Sequence, residues 1–394
     1  MPAYLDHAAT TPLCAEAIDA MAGWLVPGRA ANPSGAHWAS REARQAVDEA
    51  RDTVAEVLGT APGDVVFTAG GTEAANLAIL GRARAAPGAV VVSAIEHHAV
   101  LRAAEAAARS GMAEMRTAGV TPHGVVDLAG LARCLDSDVS LVSVQLVNNE
   151  TGVLQPLDEV AKLVSRRARG AVLHVDAVQA VPWYDVSQLA AGADLVSISA
   201  HKFGGPQGAG ALAFRRPVVL EPLVYGGPQE RDRRAGTHNV AGIVGMAAAL
   251  RAAVRDRATA SARVGRLRDE LCAGLLARVP GARQTAAGQA LAPGHCHLVI
   301  DGVESEALLV LLDEHGVAAS AGAACASGAM EPSHVLLAMG FPAEQALGAL
   351  RLTLGHTSSR ADVELALVAV PDAVARLRTG AAASQSPVLA EVVR

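Results

Sequence analysis

Asp194-Leu-Val-Ser-Ile-Ser-Ala-His-Lys-Phe-Gly-Gly-Pro-Gln-Gly-Ala-Gly210 carries one lysine at the junction of two patterns. Residues 194–199 alternate apolar and small polar side chains as a buried strand does, and they run directly into His201, Lys202 and a glycine-rich turn. A lysine is thereby delivered to the end of a strand. The glycines after it permit close backbone approach, so Ser199, His201 and Lys202 can converge on one anion or one carbonyl carbon. A lone lysine before a turn is more often a surface residue, so the reading depends on partners elsewhere in the chain.

Outward from this segment, strands and helices alternate. Val65–Thr68, Ala89–Ser93, Leu141–Val147, Ala171–Val175 and Ala211–Phe214 read as strands, with helices over 72–83, 99–109 and 156–169. Upstream, Ala43, Ala46, Val47, Ala50, Val54, Val57 and Leu58 form one apolar helical face that begins near Ser40 and ends at Gly59. Asn32-Pro-Ser-Gly-Ala-His37 is a loop, and Tyr4-Leu-Asp-His-Ala-Ala-Thr-Thr-Pro12 is an arm laid over something larger. This is an α/β pattern with a mostly parallel sheet. Past about residue 245 the pattern changes to long alanine- and arginine-rich helices near 242–278, then isolated strands at His297–Ile300 and Leu350–Leu354. The expected organisation is an arm (1–15), a large α/β domain (16–245), a smaller α+β domain (246–380) and a tail (381–394). The tail opens on the low-complexity run Gly380-Ala-Ala-Ala-Ser-Gln-Ser-Pro387 and reads as mobile.

The 394 residues are 51% hydrophobic and 18% charged, a globular composition with ample core for two domains. A net charge of -6 argues against direct nucleic-acid binding, and no apolar run approaches a membrane span. Five scattered cysteines, Cys14, Cys134, Cys272, Cys296 and Cys325, fit a reducing compartment rather than a disulfide framework. Met1-Pro-Ala-Tyr-Leu-Asp6 has no basic start or apolar core of a leader, so a cytoplasmic protein is expected.

Ligands of open α/β sheets sit at the carboxyl ends of the strands, and the residues there form a set. Gly70-Gly-Thr-Glu-Ala-Ala-Asn76 follows a strand and opens a helix, a phosphate cradle of free N–H groups and the Thr72 hydroxyl, without the lysine of a P-loop. Glu96-His-His98 can lay an imidazole on a flat ring. Asn148-Asn-Glu-Thr-Gly152 ends another strand, and Val172-Leu-His-Val-Asp-Ala-Val-Gln179 puts Asp176 at a strand end with Gln179 close behind. A buried aspartate needs a cationic partner, and a protonated pyridine nitrogen is one. Pyridoxal phosphate requires this pairing together with a lysine for its aldehyde. Gly294-His-Cys-His297 lacks a second ligand pair, so no metal is expected.

In these motifs the chain resembles the cysteine desulfurases of the class V aminotransferase family, the NifS/IscS-like group. The resemblance extends from Tyr4-Leu-Asp-His through the motifs above to Gln229-Glu-Arg, Ala235-Gly-Thr237, Cys325 and Arg351-Leu-Thr-Leu-Gly355. It implies a fold-type I homodimer in which Lys202 forms the Schiff base, His97 stacks on the ring and Asp176 pairs with the ring nitrogen. Asn149 and Gln179 would contact the ring's oxygen side. Gly71, Thr72, Ser199 and His201 would hold the phosphate, joined by Thr237 from the other subunit, and Arg351 would clamp the substrate carboxylate. The implied substrate is L-cysteine, with sulfur passing to a protein acceptor, an iron–sulfur scaffold or a sulfur carrier.

Cys325 decides the reaction. It lies in Ala319-Ser-Ala-Gly-Ala-Ala-Cys-Ala-Ser-Gly328, small residues without apolar periodicity, which reads as a flexible loop presenting an accessible thiol. Ala323, Ala235 and Gln207 depart from the family pattern, where serine, serine and lysine are usual, and none removes a group the chemistry needs. A selenocysteine lyase, another class V enzyme and a catalytically retired scaffold remain as rivals.

Overall fold

The computed structural model describes residues 2–29, 32–322 and 331–384. Cys325, Ala323 and residues 385–394 of the expected tail lie outside the described residues. The frame is a seven-stranded sheet in the order 65–68, 210–214, 195–199, 172–176, 139–143, 89–93 and 115–118. The five strands from 195–199 to 115–118 are parallel neighbours, and Gly210–Phe214 runs antiparallel to the strand on each side. Every residue of the six strands other than 115–118 is buried, so both faces of the sheet are covered and the strands read as apolar runs. Met115–Ala118 is the half-exposed edge, and its mixed composition leaves no apolar run for the sequence to reveal.

Element boundaries move by a few residues. The expected strand 141–147 forms its ladder over Val139–Ser143, while Val144, Leu146 and Val147 continue as buried core beyond it. The apolar run continues because these residues are buried whether or not they pair. The first long helix spans Trp38–Leu58 and is closed by Gly59 in the left-handed conformation (φ 64), which a Cβ would strain. The later helices are Gly71–Ala85, His98–Arg109 and Leu157–Arg167.

A second core lies over a three-stranded antiparallel sheet of Ala282–Gln284, His295–Ile300 and Ala349–Thr353. The expected boundary at 245/246 falls inside one 39-residue helix, Val240–Arg278. Ile243, Met246 and Leu250 of this helix pack into the first core and Val264, Leu271 and Leu275 into the second, so a single rod joins them. The arm belongs to the second core: Ala3–Tyr4 pairs in parallel with Val317–Ala318, and Leu5 is fully buried there. The last helix, Arg360–Ser384, continues into the segment read as a tail. No described helix is long and apolar enough to cross a membrane.

Candidate active site

Because the parallel strands all point one way, their carboxyl ends share one edge of the sheet. A cavity of about 210 Å³ opens there. Gly71, Thr72, Ser199 and His201 are among the residues lining it, together with His97, Asn149, Asp176, Gln179 and Lys202. Nine of the residues singled out from sequence therefore meet in one place. Arg351 and Thr237 do not line it, and Cys325 is outside the described residues.

Gly70 and Gly71 make the turn into the helix Gly71–Ala85 possible. Gly70 has φ 154, and a Cβ on Gly71 would come within 2.7 Å of Val178 Cγ2. The closeness is mutual, since a Cβ on Gly210 would lie 2.6 Å from Gly70 Cα. Backbone thus comes right up to the cavity, and the first-turn N–H groups have no helical acceptors. His201 is steadied by Thr10, whose Oγ1 lies 3.2 Å from its Nδ1.

Lys202 donates through Nζ to the carbonyls of Ala8 (2.5 Å) and Ala9 (2.8 Å), so the arm holds the amine in place. Burial lowers its pKa to about 8, helped by repulsion from Arg351. Gln179 reaches the same strand of backbone, with Nε2 donating to Ala8 O at 2.8 Å. Asp176 is buried, and its Oδ1 accepts the Val178 N–H at 3.0 Å. Burial raises its pKa to about 6, against the pull of that hydrogen bond and of Lys202. A carboxylate left in this condition is a receptor for a cation.

The His97 ring opens into the cavity, and its Nδ1 accepts the Ala99 N–H at 3.1 Å. Desolvation, followed by the charge of Lys202, lowers its pKa to about 4, so the ring is neutral with its proton on Nε2. Arg351 is 4% exposed on the strand Ala349–Thr353. Its Nη2 donates to Asp6 Oδ1 (2.8 Å) and its Nη1 to Asn149 O (3.0 Å), while Nε has no partner among the described residues.

Three contributors were missed from sequence. The Ala8 and Ala9 carbonyls act through backbone, which no side-chain pattern reports. Asp6 was quoted in a motif without its partner. Gln145, which lines the cavity, lay inside the expected strand 141–147, and it falls past a strand end only because the ladder stops at Ser143. Gly294-His-Cys-His297 is divided by strand alternation. His295 and His297 share one buried face and Cys296 packs in the second core on the other. Among the described residues, no group of three or more His, Cys, Asp or Glu side chains is arranged to hold a metal.

Glu96 carries a prediction of its own. It is fully buried, Oε1 accepts from Ser93 Oγ and the Gln145 N–H, both at 2.8 Å, and Oε2 has no partner among the described residues. Burial outweighs these hydrogen bonds and raises its pKa to about 8, so at neutral pH the group is largely a carboxylic acid. A raised folded-state value contributes stability that is full below the unfolded value of about 4.5 and is lost as pH rises through about 8. Glu96→Gln keeps the Oε1 acceptor and cannot ionise. Its unfolding free energy should exceed wild type by about 5 kcal/mol at pH 9 and match it at pH 4. Parallel pH profiles in urea titrations would refute the assignment.

An edge cavity with a glycine-lined anion cradle, a buried carboxylate without an ion pair among the described residues and a half-buried amine of lowered pKa defines a class. The donor set fits a phosphorylated aldehyde with a basic ring nitrogen, which is pyridoxal phosphate. The Aminotransferase class-V family model matches residues 3–366, and the chain belongs to that family, whose members depend on pyridoxal phosphate. An IscS-like cysteine desulfurase of Mycobacterium tuberculosis (strain ATCC 25618 / H37Rv) is 44% identical over 97% of this chain and 98% of its own length. Among solved structures, a NifS-like protein superposes with a TM-score of 0.89 at 32% identity, covering 95% of this chain and 100% of that one. A structure described as SspA in complex with cysteine has a TM-score of 0.75 at 27% identity, over 90% of this chain and 99% of that one.

Proposed function

We propose that this protein is a cysteine desulfurase that converts L-cysteine to L-alanine and carries the sulfur as a persulfide on Cys325. The observation that carries the reading is the convergence of Lys202, Asp176 and His97 on one cavity, in a chain 44% identical to a cysteine desulfurase along nearly its whole length.

When bound, pyridoxal phosphate supplies an electron sink for the negative charge that forms at the substrate Cα. The N–H groups at the start of the helix Gly71–Ala85, with Thr72, Ser199 and His201, hold the phosphate. Asp176 gains the cation it lacks from the ring nitrogen and keeps that nitrogen protonated. The neutral His97 ring would pack against the cofactor ring, and Asn149 and Gln179 would contact its oxygen side. Lys202, with a pKa near 8, is neutral often enough at physiological pH to take the Cα proton. Arg351 turns part of its guanidinium from Asp6 to the substrate carboxylate. The Cys325 thiolate then attacks the substrate sulfur: the Cβ–S bond breaks with its electron pair left on carbon, an S–S bond forms on Cys325, Cβ takes up one proton, and Lys202 returns the proton it took from Cα, which completes alanine. A protein acceptor, an iron–sulfur scaffold or a sulfur carrier, removes the outer sulfur.

The functional unit is a homodimer in which Thr237 completes the phosphate site of the other subunit. In its own chain Thr237 is exposed and away from the cavity, which supports that role. Cys14, Cys134, Cys272 and Cys296 are free thiols, in keeping with a cytoplasmic location. The test is incubation with L-cysteine. Wild type should release stoichiometric alanine and show a mass gain of one sulfur on the Cys325 peptide, whereas Cys325→Ser should bind cysteine and release no sulfur. Persulfide on another cysteine, with Cys325→Ser fully active, would overturn the assignment.

A further inference from the structure

The loop that leads to Thr237 is built around a buried charge. Glu230, 7% exposed, accepts from Arg51 Nη1 (2.8 Å) and Nη2 (2.7 Å), from the Phe67 N–H (2.9 Å) and from His238 Nε2 (2.6 Å). Burial pushes the carboxyl up, but the bonds from Arg51 and His238 outweigh it and hold the pKa at about 2. Around this hub Glu230, Arg231 and Asp232 all take left-handed backbone, with φ of 48°, 56° and 64°. Three such non-glycine residues in a row are unfavourable by themselves and persist where surrounding contacts dictate them. The hub and the Arg231 bond to Gly63 O supply those contacts.

Arg234 then makes a second anchorage. Its Nε donates to Glu73 Oε1 at 2.8 Å and its Nη2 to Oε2 at 3.3 Å, both side chains being about three-quarters buried or more. Glu73 belongs to the first turn of the helix Gly71–Ala85, and its Oε2 also accepts the Ala69 N–H at 2.7 Å. One carboxylate therefore holds the turn into the phosphate cradle and the loop that carries Thr237. From Arg234 the chain passes through Gly236, at φ 111 with its N–H on Gln229 Oε1 (3.1 Å), to the exposed Thr237.

We propose that Arg234 is a positioning residue for the partner subunit's cofactor site: fixed to Glu73 of its own chain, it sets where Thr237 emerges toward the neighbouring phosphate. This rests on the homodimer reading with Thr237 acting across the interface. Without Arg234, Glu73 keeps its bond to Ala69, so the cradle of the same chain keeps its turn. The segment 235–237 loses its ionic anchor to the helix Gly71–Ala85 and keeps only the Ala235 N–H bond to Val224 O and the Gly236 N–H bond to Gln229. The main effect of a lesion thus falls in the other subunit.

Mixed dimers separate the two subunits. Each is assembled from differently tagged chains, one of them carrying Lys202→Ala, so that only the other can bond the cofactor covalently. In the first arrangement Arg234→Ala is placed on the Lys202→Ala chain; in the second it is placed on the chain that retains Lys202. Cofactor-free dimers are titrated with pyridoxal phosphate, and the fraction of Lys202 fixed to it by borohydride is read by peptide mass. Relative to the dimer without Arg234→Ala, affinity should fall about fivefold or more in the first arrangement and stay within about twofold in the second. Both arrangements contain the same substitutions, so a general loss of folding affects both.

Equal weakening, or weakening confined to the second arrangement, overturns the proposal, the latter because an unneutralised Glu73 beside the phosphate then dominates. Thr237→Ala in the same two arrangements tests the underlying reading. If it is silent in the first, action across the interface is wrong. If it weakens binding there while Arg234→Ala does not, the role of Arg234 alone is wrong.

Discussion

Lys202→Ala should eliminate turnover, a loss of at least about 10⁴-fold, together with the visible absorption of the bound cofactor. The sequence sharpens this expectation, because the chain has two lysines, Lys162 and Lys202. Lys162 is exposed on the helix Leu157–Arg167 and paired with Asp158, so it has no access to the cavity. Borohydride reduction of the wild-type holoenzyme should place the cofactor on the Lys202 peptide and on no other. The environment of the amine adds a pH signature. Burial and Arg351 lower its pKa to about 8, so covalent uptake of cofactor by the cofactor-free protein should accelerate about tenfold per pH unit below pH 8 and level off above it. A band that survives Lys202→Ala, or a tag found on Lys162, would sink the assignment.

Asp176→Asn should move activity and stability in opposite directions. In the cofactor-free protein the buried carboxyl has its pKa raised from 3.8 to about 6. Its contribution to stability is therefore full below about pH 4 and lost as pH rises through about 6. The amide keeps an Oδ1 acceptor for the Val178 N–H and cannot ionise. The cofactor-free variant should be more stable than wild type by about 3 kcal/mol at pH 7 and equal to it near pH 4. Turnover should fall by about 10² to 10³-fold, since an amide cannot hold a ring nitrogen protonated as a carboxylate does. Urea titration of the cofactor-free forms and alanine release by the holoenzymes measure the two effects. A variant both less stable and less active would mean that Asp176 is structural, and one of wild-type turnover would break its pairing with the ring nitrogen.

Strand-end motifs were legible from sequence because each is local. A buried strand of a parallel sheet must be apolar, a phosphate turn must contain glycine, and the first polar residue beyond the strand must face the edge where ligands sit. Lys202, Asp176, His97 and the Gly70–Thr72 turn could all be found in this way, as could the helix closed by Gly59. The α/β class with a mostly parallel sheet followed from the same alternation.

Other features depend on residues hundreds of positions apart. Asp6 meets Arg351 across the chain, and the arm that supplies the Ala8 and Ala9 carbonyls to Lys202 is itself carried by the second core. Glu230 stands in the charged run Glu230-Arg-Asp-Arg-Arg234, and only the approach of Arg51, Phe67 and His238 makes it a buried hub. The change of composition near residue 245 suggested a boundary where a continuous helix serves two cores, because alanine-rich sequence records that a face is packed and not what packs on it. Local backbone preference and burial are written in short stretches of sequence. The burial and the Arg351 charge that lower the pKa of Lys202, and the distant groups that neutralise Glu230 and Glu73 and so hold the loop to Thr237, exist only once the chain has folded and brought them together.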